Sequence, residues 1–224
     1  MTYTRAIGAG CKFVLDAIVR SLALTRINPN VLTFIGLLIN IIAAALFGYG
    51  WFFAAGLVII AAGIFDMVDG RVARYTNTVS HFGGFFDSVL DRYSDLALYF
   101  GLLVYYARIN REFYVVLVAV VMTGSVMVSY ARARAENTIP SCKVGFMERP
   151  ERVVLVIIGA LFNRMAPCLW VIAVLSNVTV IQRIRHTYRE TRAMDGARVT
   201  THGATVTPRG STAKVTQDPG PVAR

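Results

Sequence analysis

Charged residues are scarce in this sequence. Asp, Glu, Lys and Arg make up only 16% of the 224 residues, whereas 55% are hydrophobic. Leu, Ile, Val, Ala and Phe form long runs, and the mean hydropathy is +0.55. A soluble domain with one core does not carry such runs. The composition therefore predicts an all-α integral membrane protein.

Cysteine is rare as well. The three cysteines are widely spaced and lack a metal-ligand pattern: Cys11, Cys142 and Cys168. We therefore expect neither a disulfide framework nor a zinc site. A secretory signal peptide is not expected either, because charged residues such as Arg5 and Lys12 interrupt any apolar stretch near the start of the sequence.

Acidic residues are outnumbered by basic ones, 13 to 23, and the net charge is +10. Nucleic acid is a poor explanation for this charge, because most of the basic residues flank hydrophobic segments. In a six-span arrangement, only three of the 23 would lie on the far side, namely Arg108, Arg111 and Arg164. The positive-inside bias then predicts that both termini are cytoplasmic, in the cell (inner) membrane.

The six predicted spans divide the sequence into three regions. Residues 1–28 form an N-terminal region in which Lys12, Asp16 and Arg20 make a polar stripe over 5–24, which predicts an amphipathic helix in the cytoplasmic interface. The alternative is that 5–24 are the first turns of a longer helix. Residues 193–224, rich in Thr, Gly, Pro and Ala, predict a disordered basic tail. Between them, 29–192 hold the spans, at about 31–48, 51–74, 82–107, 113–131, from Arg152 to about 162, and 166–182.

Four carboxylates stand out at the ends of two of these spans. Asp66 and Asp69 are three residues apart, and Asp87 and Asp91 are four apart, so each pair shares one face of a helix. Ionisable groups beside a membrane are costly and usually functional. Unneutralised, the four would repel one another, and a divalent cation is the simplest remedy. A buried ion-pair network and a divalent-metal transporter are the alternatives.

The spacing around these acids is specific. It is Asp66-x2-Asp69-Gly70-x2-Ala73-Arg74-x8-Gly83-x3-Asp87-x3-Asp91, and it resembles the signature of the CDP-alcohol phosphatidyltransferases at all eight positions. The resemblance implies an enzyme that moves a phosphatidyl group from CDP-diacylglycerol to an alcohol and releases CMP. Two metal ions, Mg²⁺ or Mn²⁺, would assist the reaction.

The resemblance also implies roles for individual residues. Asp66, Asp69, Asp87 and Asp91 would bind the metal, and Asp91 would also be the catalytic base. Ala73 and Gly83 are the small residues of the motif. The expected contacts to CDP-diacylglycerol come from two segments, and they are Pro29, Asn30, Val31, Leu32, Gly70, Arg74 and Ser80.

Arginines at three helix ends suggest that the acceptor carries a phosphate. Guanidinium groups match phosphate well. The segments FDSVLDRYSD, YARARAE and ERPER resemble the phosphatidylinositol phosphate synthase branch. That resemblance implies inositol phosphate as the acceptor, with its phosphate bound by Arg134, Arg152 and Arg183. Glycerol 3-phosphate is the alternative. Membrane lipids are further expected partners, and the family resemblance implies a homodimer.

Overall fold

The computed structural model describes residues 29–75 and 80–203, with side chains over 30–66 and 80–196. The predicted N-terminal interfacial helix and residues 204–224 of the predicted tail lie outside this part of the chain. Within it the fold is all-helical. The helices are α1 (Pro29–Tyr49), α2 (Phe52–Tyr75), α3 (His81–Arg108), α4 (Glu112–Glu136), α5 (Arg149–Leu161) and α6 (Met165–Gly203).

All six helices lie where the sequence predicts spans, but two of them are longer than predicted. Helix α4 continues to Glu136, where the exposed Arg132 pairs with Glu136 one turn later at 3.1 Å. Helix α6 continues to Gly203, so the structure differs from the prediction of disorder over residues 193–203. The polar extension of α4 consists of the good helix formers Arg, Ala and Glu, whereas that of α6 also contains several Thr, His and Gly residues. An apolar run therefore marks the end of neither helix.

Three of the described helices are long and apolar enough to cross a membrane: Asn30–Tyr49, Glu112–Glu136 and Met165–Gly196. Phe52–Asp66 is apolar but shorter. Helix α3 carries Asp87, Asp91 and Asp95 in its first half, and α5 has only 13 residues. The charges of α3 and the length of α5 explain why these two helices lack a full apolar window.

The helices form a closed ring. In the described part of the chain, the main contacts run from α1 to α2, α2 to α5, α5 to α6, α6 to α4, α4 to α3, and α3 back to α1. All six contribute to one buried apolar core, which includes Phe47, Ile59, Leu102, Val118 and Leu169. This closure brings α5 beside α2 although the two are far apart in sequence.

Tight turns close one end of the ring. Gly50, Asn110 and Asn163 each follow a helix with positive φ, at 84°, 55° and 51°. In each turn the next residue donates its N–H to a carbonyl five residues back, as Trp51 does to Leu46. This is the left-handed C-cap that glycine and asparagine adopt most easily. Since the turns are short, each joins two helices that run in opposite directions. The carboxylates lie near the helix ends that these turns do not join, and therefore at the opposite end of the ring.

The α1–α3 crossing depends on Gly101. A Cβ placed there would collide with the backbone carbonyl of Ala44 on α1. The absence of a side chain therefore lets the two backbones approach closely, as small residues do between membrane helices. This approach sets how α3, and with it Asp87 and Asp91, sits against α1.

We predict that Gly101→Ala lowers the free energy of unfolding by about 1–3 kcal/mol, because the two helices must separate to admit the methyl group. Thermal unfolding of the purified protein in detergent measures the loss. Gly36→Ala on α1 is the matched control, since a Cβ there meets nothing within 4 Å. It should be neutral or slightly stabilising. Equal Tm values for the two variants would contradict the close crossing.

Candidate active site

Three of the four signature acids meet at the end of the ring opposite the tight turns. Asp66 lies near the end of α2, whereas Asp87 and Asp91 lie one turn apart near the start of α3. One carboxylate oxygen from each lies within 4.8 Å of the other two. Asp91 is the most enclosed, with 15% of its side chain exposed against 37% for Asp66. The structure therefore brings together the acids of two helices, as the sequence predicted.

The remaining signature residues on α2 have a described backbone, but their side chains lie outside the described ones. Helix α2 continues through Asp69, Gly70, Ala73 and Arg74 to Tyr75. Asp69 thus follows Asp66 on a continuous helix, and its spacing of three places it on the same face. The contacts predicted for these four residues stay predictions.

The start of α1 meets the start of α3 beside the acids. Ser80 is the N-cap of α3, and the Gly83 N–H donates to its Oγ at 2.9 Å. A Cβ on Gly83 would lie 3.0 Å from Ser80 Oγ and 3.4 Å from Asn30 Oδ1. Two polar side chains converge on Gly83, so a larger residue at this position would be crowded. Asn30 and Ser80, both predicted to contact the nucleotide, therefore lie close together.

Arg149, at the start of α5, occupies the centre of the acidic cluster. Its Nη1 lies 2.9 Å from Asp66 Oδ2, and its Nη2 lies 2.9 Å from Asp91 Oδ1. Its Nε lies 3.5 Å from Asp95 Oδ1. One guanidinium thus links α2, α3 and α5. The sequence analysis noted a polar segment here but assigned Arg149 no role.

Asp95 extends the network into the protein. It lies outside the signature, yet its Oδ2 accepts from Arg152 Nη2 at 2.9 Å, and both side chains are almost fully buried. Arg152 Nη1 also lies 3.5 Å from the Met147 carbonyl. A buried arginine needs such a partner, because an unpaired charge there is very costly. Asp95 therefore holds Arg152 and Arg149 together.

Arg183 is buried against the segment that leads into α5. Its guanidinium donates to the Val144 carbonyl at 2.9 Å, to the Val128 carbonyl, and to Glu148 Oε1 at 3.0 Å. Glu148 also accepts from Arg132 at 3.1 Å. This arrangement ties the end of α4, the segment before α5 and the middle of α6 together.

The three arginines predicted to bind the acceptor phosphate have different surroundings. Arg152 and Arg183 are both buried and both contact the segment Val144–Glu148, Arg152 at Met147 and Arg183 at Val144 and Glu148. Arg134 is exposed on the last turn of α4 and makes no ion pair among the described residues. The described contacts thus do not join Arg134 to the other two.

The donor set suits a hard divalent cation. Carboxylate oxygens are the ligands that Mg²⁺ and Mn²⁺ prefer, and the cluster offers three carboxylates. Within the described residues no His or Cys joins the group that could hold a metal. The site thus favours magnesium or manganese over zinc.

Comparison with known proteins decides the family. The sequence profile of the CDP-alcohol phosphatidyltransferases matches residues 26–183, which include the whole acidic cluster and Arg149. The chain belongs to the CDP-alcohol phosphatidyltransferase family. It is therefore a transferase of phospholipid synthesis, as predicted, and not a divalent-metal transporter.

The relatives include inositol lipid enzymes. An archaetidylinositol phosphate synthase from Pyrococcus horikoshii is 38% identical over 172 residues, covering 76% of this chain and 88% of that protein. The phosphatidylinositol phosphate synthase of Mycobacterium bovis is 33% identical over 193 residues, covering 81% and 89%.

Solved structures agree with the sequence relatives. The Mycobacterium tuberculosis phosphatidylinositol phosphate synthase with CDP-DAG bound matches with a TM-score of 0.74 and 31% identity, over 78% of this chain and 94% of that one. The same enzyme in complex with manganese and citrate matches with a TM-score of 0.73 and 32% identity, over 78% and 88%. This phosphatidyltransferase therefore shares the fold of an enzyme of the predicted branch.

We predict that Asp95→Ala lowers the free energy of unfolding by about 3–5 kcal/mol, because it leaves the buried Arg152 without its carboxylate. Unfolding in detergent, followed by circular dichroism, measures the effect. Glu136→Gln is the control, since it removes only the charge of an exposed pair and should cost less than about 1 kcal/mol. Similar losses of unfolding free energy in both variants would mean that the buried Asp95–Arg152 pair stabilises the fold no more than the exposed pair does.

Proposed function

We propose that this phosphatidyltransferase transfers the phosphatidyl group of CDP-diacylglycerol to a hydroxyl of inositol phosphate and releases CMP. The observation that carries the proposal is the meeting of Asp66, Asp87 and Asp91 within 4.8 Å, in the spacing of the family signature. The relatives named phosphatidylinositol phosphate synthase support the choice of acceptor.

In this proposal the four signature acids hold the metal, as two ions of Mg²⁺ or Mn²⁺. Asp66 and Asp69 contribute from α2, and Asp87 and Asp91 from α3. When bound, the metal neutralises the diphosphate and stabilises the charge that develops on the leaving CMP oxygen. The manganese complex of the Mycobacterium tuberculosis enzyme supports a divalent ion in this family.

Asp91 is the proposed base. It accepts the proton of the attacking hydroxyl, whose oxygen forms a bond to the lipid-side phosphorus while the bond from that phosphorus to the CMP oxygen breaks. A base must lie close to the hydroxyl that it deprotonates. Asp91 suits this role because its side chain is more enclosed than that of Asp66, with 15% exposed against 37%.

The proposed nucleotide contacts surround the start of α1 and the N-terminus of α3. Pro29–Leu32, Gly70, Arg74 and Ser80 would contact the CDP moiety. The closeness of Asn30 to Ser80 across Gly83 supports this, because residues from two separate segments lie at one place. The CDP-DAG complex of the Mycobacterium tuberculosis enzyme supports a CDP-lipid as the donor.

The proposed acceptor pocket uses Arg134, Arg152 and Arg183. The last two already bind chain carbonyls and carboxylates, so they would mainly shape the pocket, while the exposed Arg134 has donors available to an anion. Glycerol 3-phosphate has the same kind of phosphate and is the second candidate. The names of the relatives favour inositol phosphate.

The membrane arrangement follows from the same proposal. All six helices span the cell (inner) membrane, with both termini and the active site at the cytoplasmic face and with a homodimer as the working form. The three long apolar helices and the tight turns at the opposite end of the ring support this arrangement. The positive-inside bias supports its orientation.

We predict that Asp91→Asn abolishes turnover but retains binding of CDP-diacylglycerol, because the amide keeps the shape of the side chain and loses its basicity. CMP release and equilibrium binding of the CDP-lipid are measured with the purified protein and Mn²⁺. Asp195→Asn, at an exposed position on α6, is the matched control and should keep normal activity. Full turnover in Asp91→Asn would remove the base from the proposal.

We predict that inositol phosphate is the preferred acceptor in a panel with glycerol 3-phosphate, free inositol and free serine. Arg134→Gln should raise the KM for inositol phosphate about tenfold or more and leave the KM for CDP-diacylglycerol unchanged, since one charged hydrogen bond is worth about 1.5–3 kcal/mol. Arg189→Gln, also exposed on α6, is the control. Equal effects on both KM values would place Arg134 outside the acceptor pocket, and a preference for glycerol 3-phosphate would overturn the acceptor.

A further inference from the structure

The carboxylates of the proposed metal site already have a cationic partner within the chain. Arg149 reaches them from α5 and forms a two-pronged contact, with Nη1 on Asp66 and Nη2 on Asp91, each at 2.9 Å. The Asp66 contact is a charged hydrogen bond and the Asp91 contact is an ion pair, so the guanidinium bridges two carboxylates. Arg149 thus joins two of the three clustered acids, one from each helix of the signature.

The position of Arg149 is fixed by a third acid. Its Nε faces Asp95 at 3.5 Å, and Asp95 is itself held by the buried Arg152 at 2.9 Å. Only 24% of the Arg149 side chain is exposed. By contrast, Arg92 lies 3.7 Å from Asp91 with 37% of its side chain exposed, and it bonds the Ser88 carbonyl instead. Arg149, and not Arg92, is therefore the built-in counter-ion of the cluster.

A divalent ion and this guanidinium need the same groups. Both take oxygens of Asp66 and Asp91, and two cations side by side repel each other strongly where water is partly excluded. We propose that Arg149 is a resident counter-ion that stabilises the carboxylate cluster without metal and that Mg²⁺ or Mn²⁺ must displace. Arg149 therefore lowers the metal affinity and offsets the repulsion between the clustered carboxylates. This inference rests on the metal site of the proposed function.

The consequence is an exchange of cations at one site. When the metal binds, the Nη groups of Arg149 leave Asp66 and Asp91, while Asp95 lies beside Nε and retains the side chain nearby. The cluster thereby exchanges one positive charge for two and is never left without a cation. In this proposal Arg149 changes the metal affinity and takes no part in the transfer of the phosphatidyl group. Its effect on metal binding can therefore be measured separately from turnover.

The test measures metal binding and stability on the purified full-length protein in detergent. Free Mn²⁺ is followed by its electron paramagnetic resonance signal, and Tm is recorded in EDTA and in Mn²⁺. We expect Arg149→Gln to lower the Kd for Mn²⁺ about tenfold or more, equivalent to about 1.4 kcal/mol. It should also lower Tm in EDTA and enlarge the rise in Tm that Mn²⁺ produces. Arg92→Gln, the matched control, should leave the Kd within about twofold, because an exposed pair contributes little.

Three outcomes separate the inference from the proposed function. A normal Kd or a weaker one in Arg149→Gln, with normal Mn²⁺ binding by the wild type, overturns the counter-ion role alone. The absence of Mn²⁺ binding by the wild type overturns both the role and the metal site. If Arg149→Gln does not fold even with Mn²⁺, Arg149→Lys replaces it, since a lysine keeps the charge but loses the two-pronged contact. Its Kd should fall by a smaller factor, and an unchanged Kd overturns the inference.

Discussion

Negative charge gathered at one end of a helical membrane protein is the constraint that the rest of this structure meets. Asp66, Asp87 and Asp91 are close enough to share an ion, and Asp95 lies one turn further along α3. Carboxylates in such a place repel one another and are poorly solvated, so they require cations. The chain supplies Arg149 and Arg152 from the start of α5, and the family chemistry supplies a divalent metal.

The ring of helices makes this meeting possible. The acids belong to α2 and α3, whereas their arginine partners belong to α5, which packs on α2 through the closure of the ring. The Gly101 crossing sets α3 against α1, and Arg183 with Glu148 ties the segment before α5 to α4 and α6. The apolar core is built from all six helices, while the polar end holds several charged groups that pair with one another.

The same end of the ring holds described residues that we propose to contact a CDP-lipid and a phosphorylated acceptor. Asn30 and Ser80 converge beside Gly83, the carboxylates lie close by along α3, and basic side chains follow on α4, α5 and α6. Relatives that make inositol phosphate lipids share this fold and most of its length. Positioning and electrostatics, which dominate phosphoryl transfer, depend in the described part of the chain on groups at helix ends.

The sequence by itself determined the six helices, the pairing of acids on helical faces and the family. These properties depend on local periodicity, because apolar runs and spacings of three and four residues act within one helix. Its apolar runs end before helices α4 and α6 do, because the last turns of both helices are polar. Only the tertiary structure decided that Arg149 binds Asp66 from 83 residues away and that Arg152 binds Asp95 from 57 residues away. Such pairs depend on which helices become neighbours when the ring closes, and no local pattern encodes that choice.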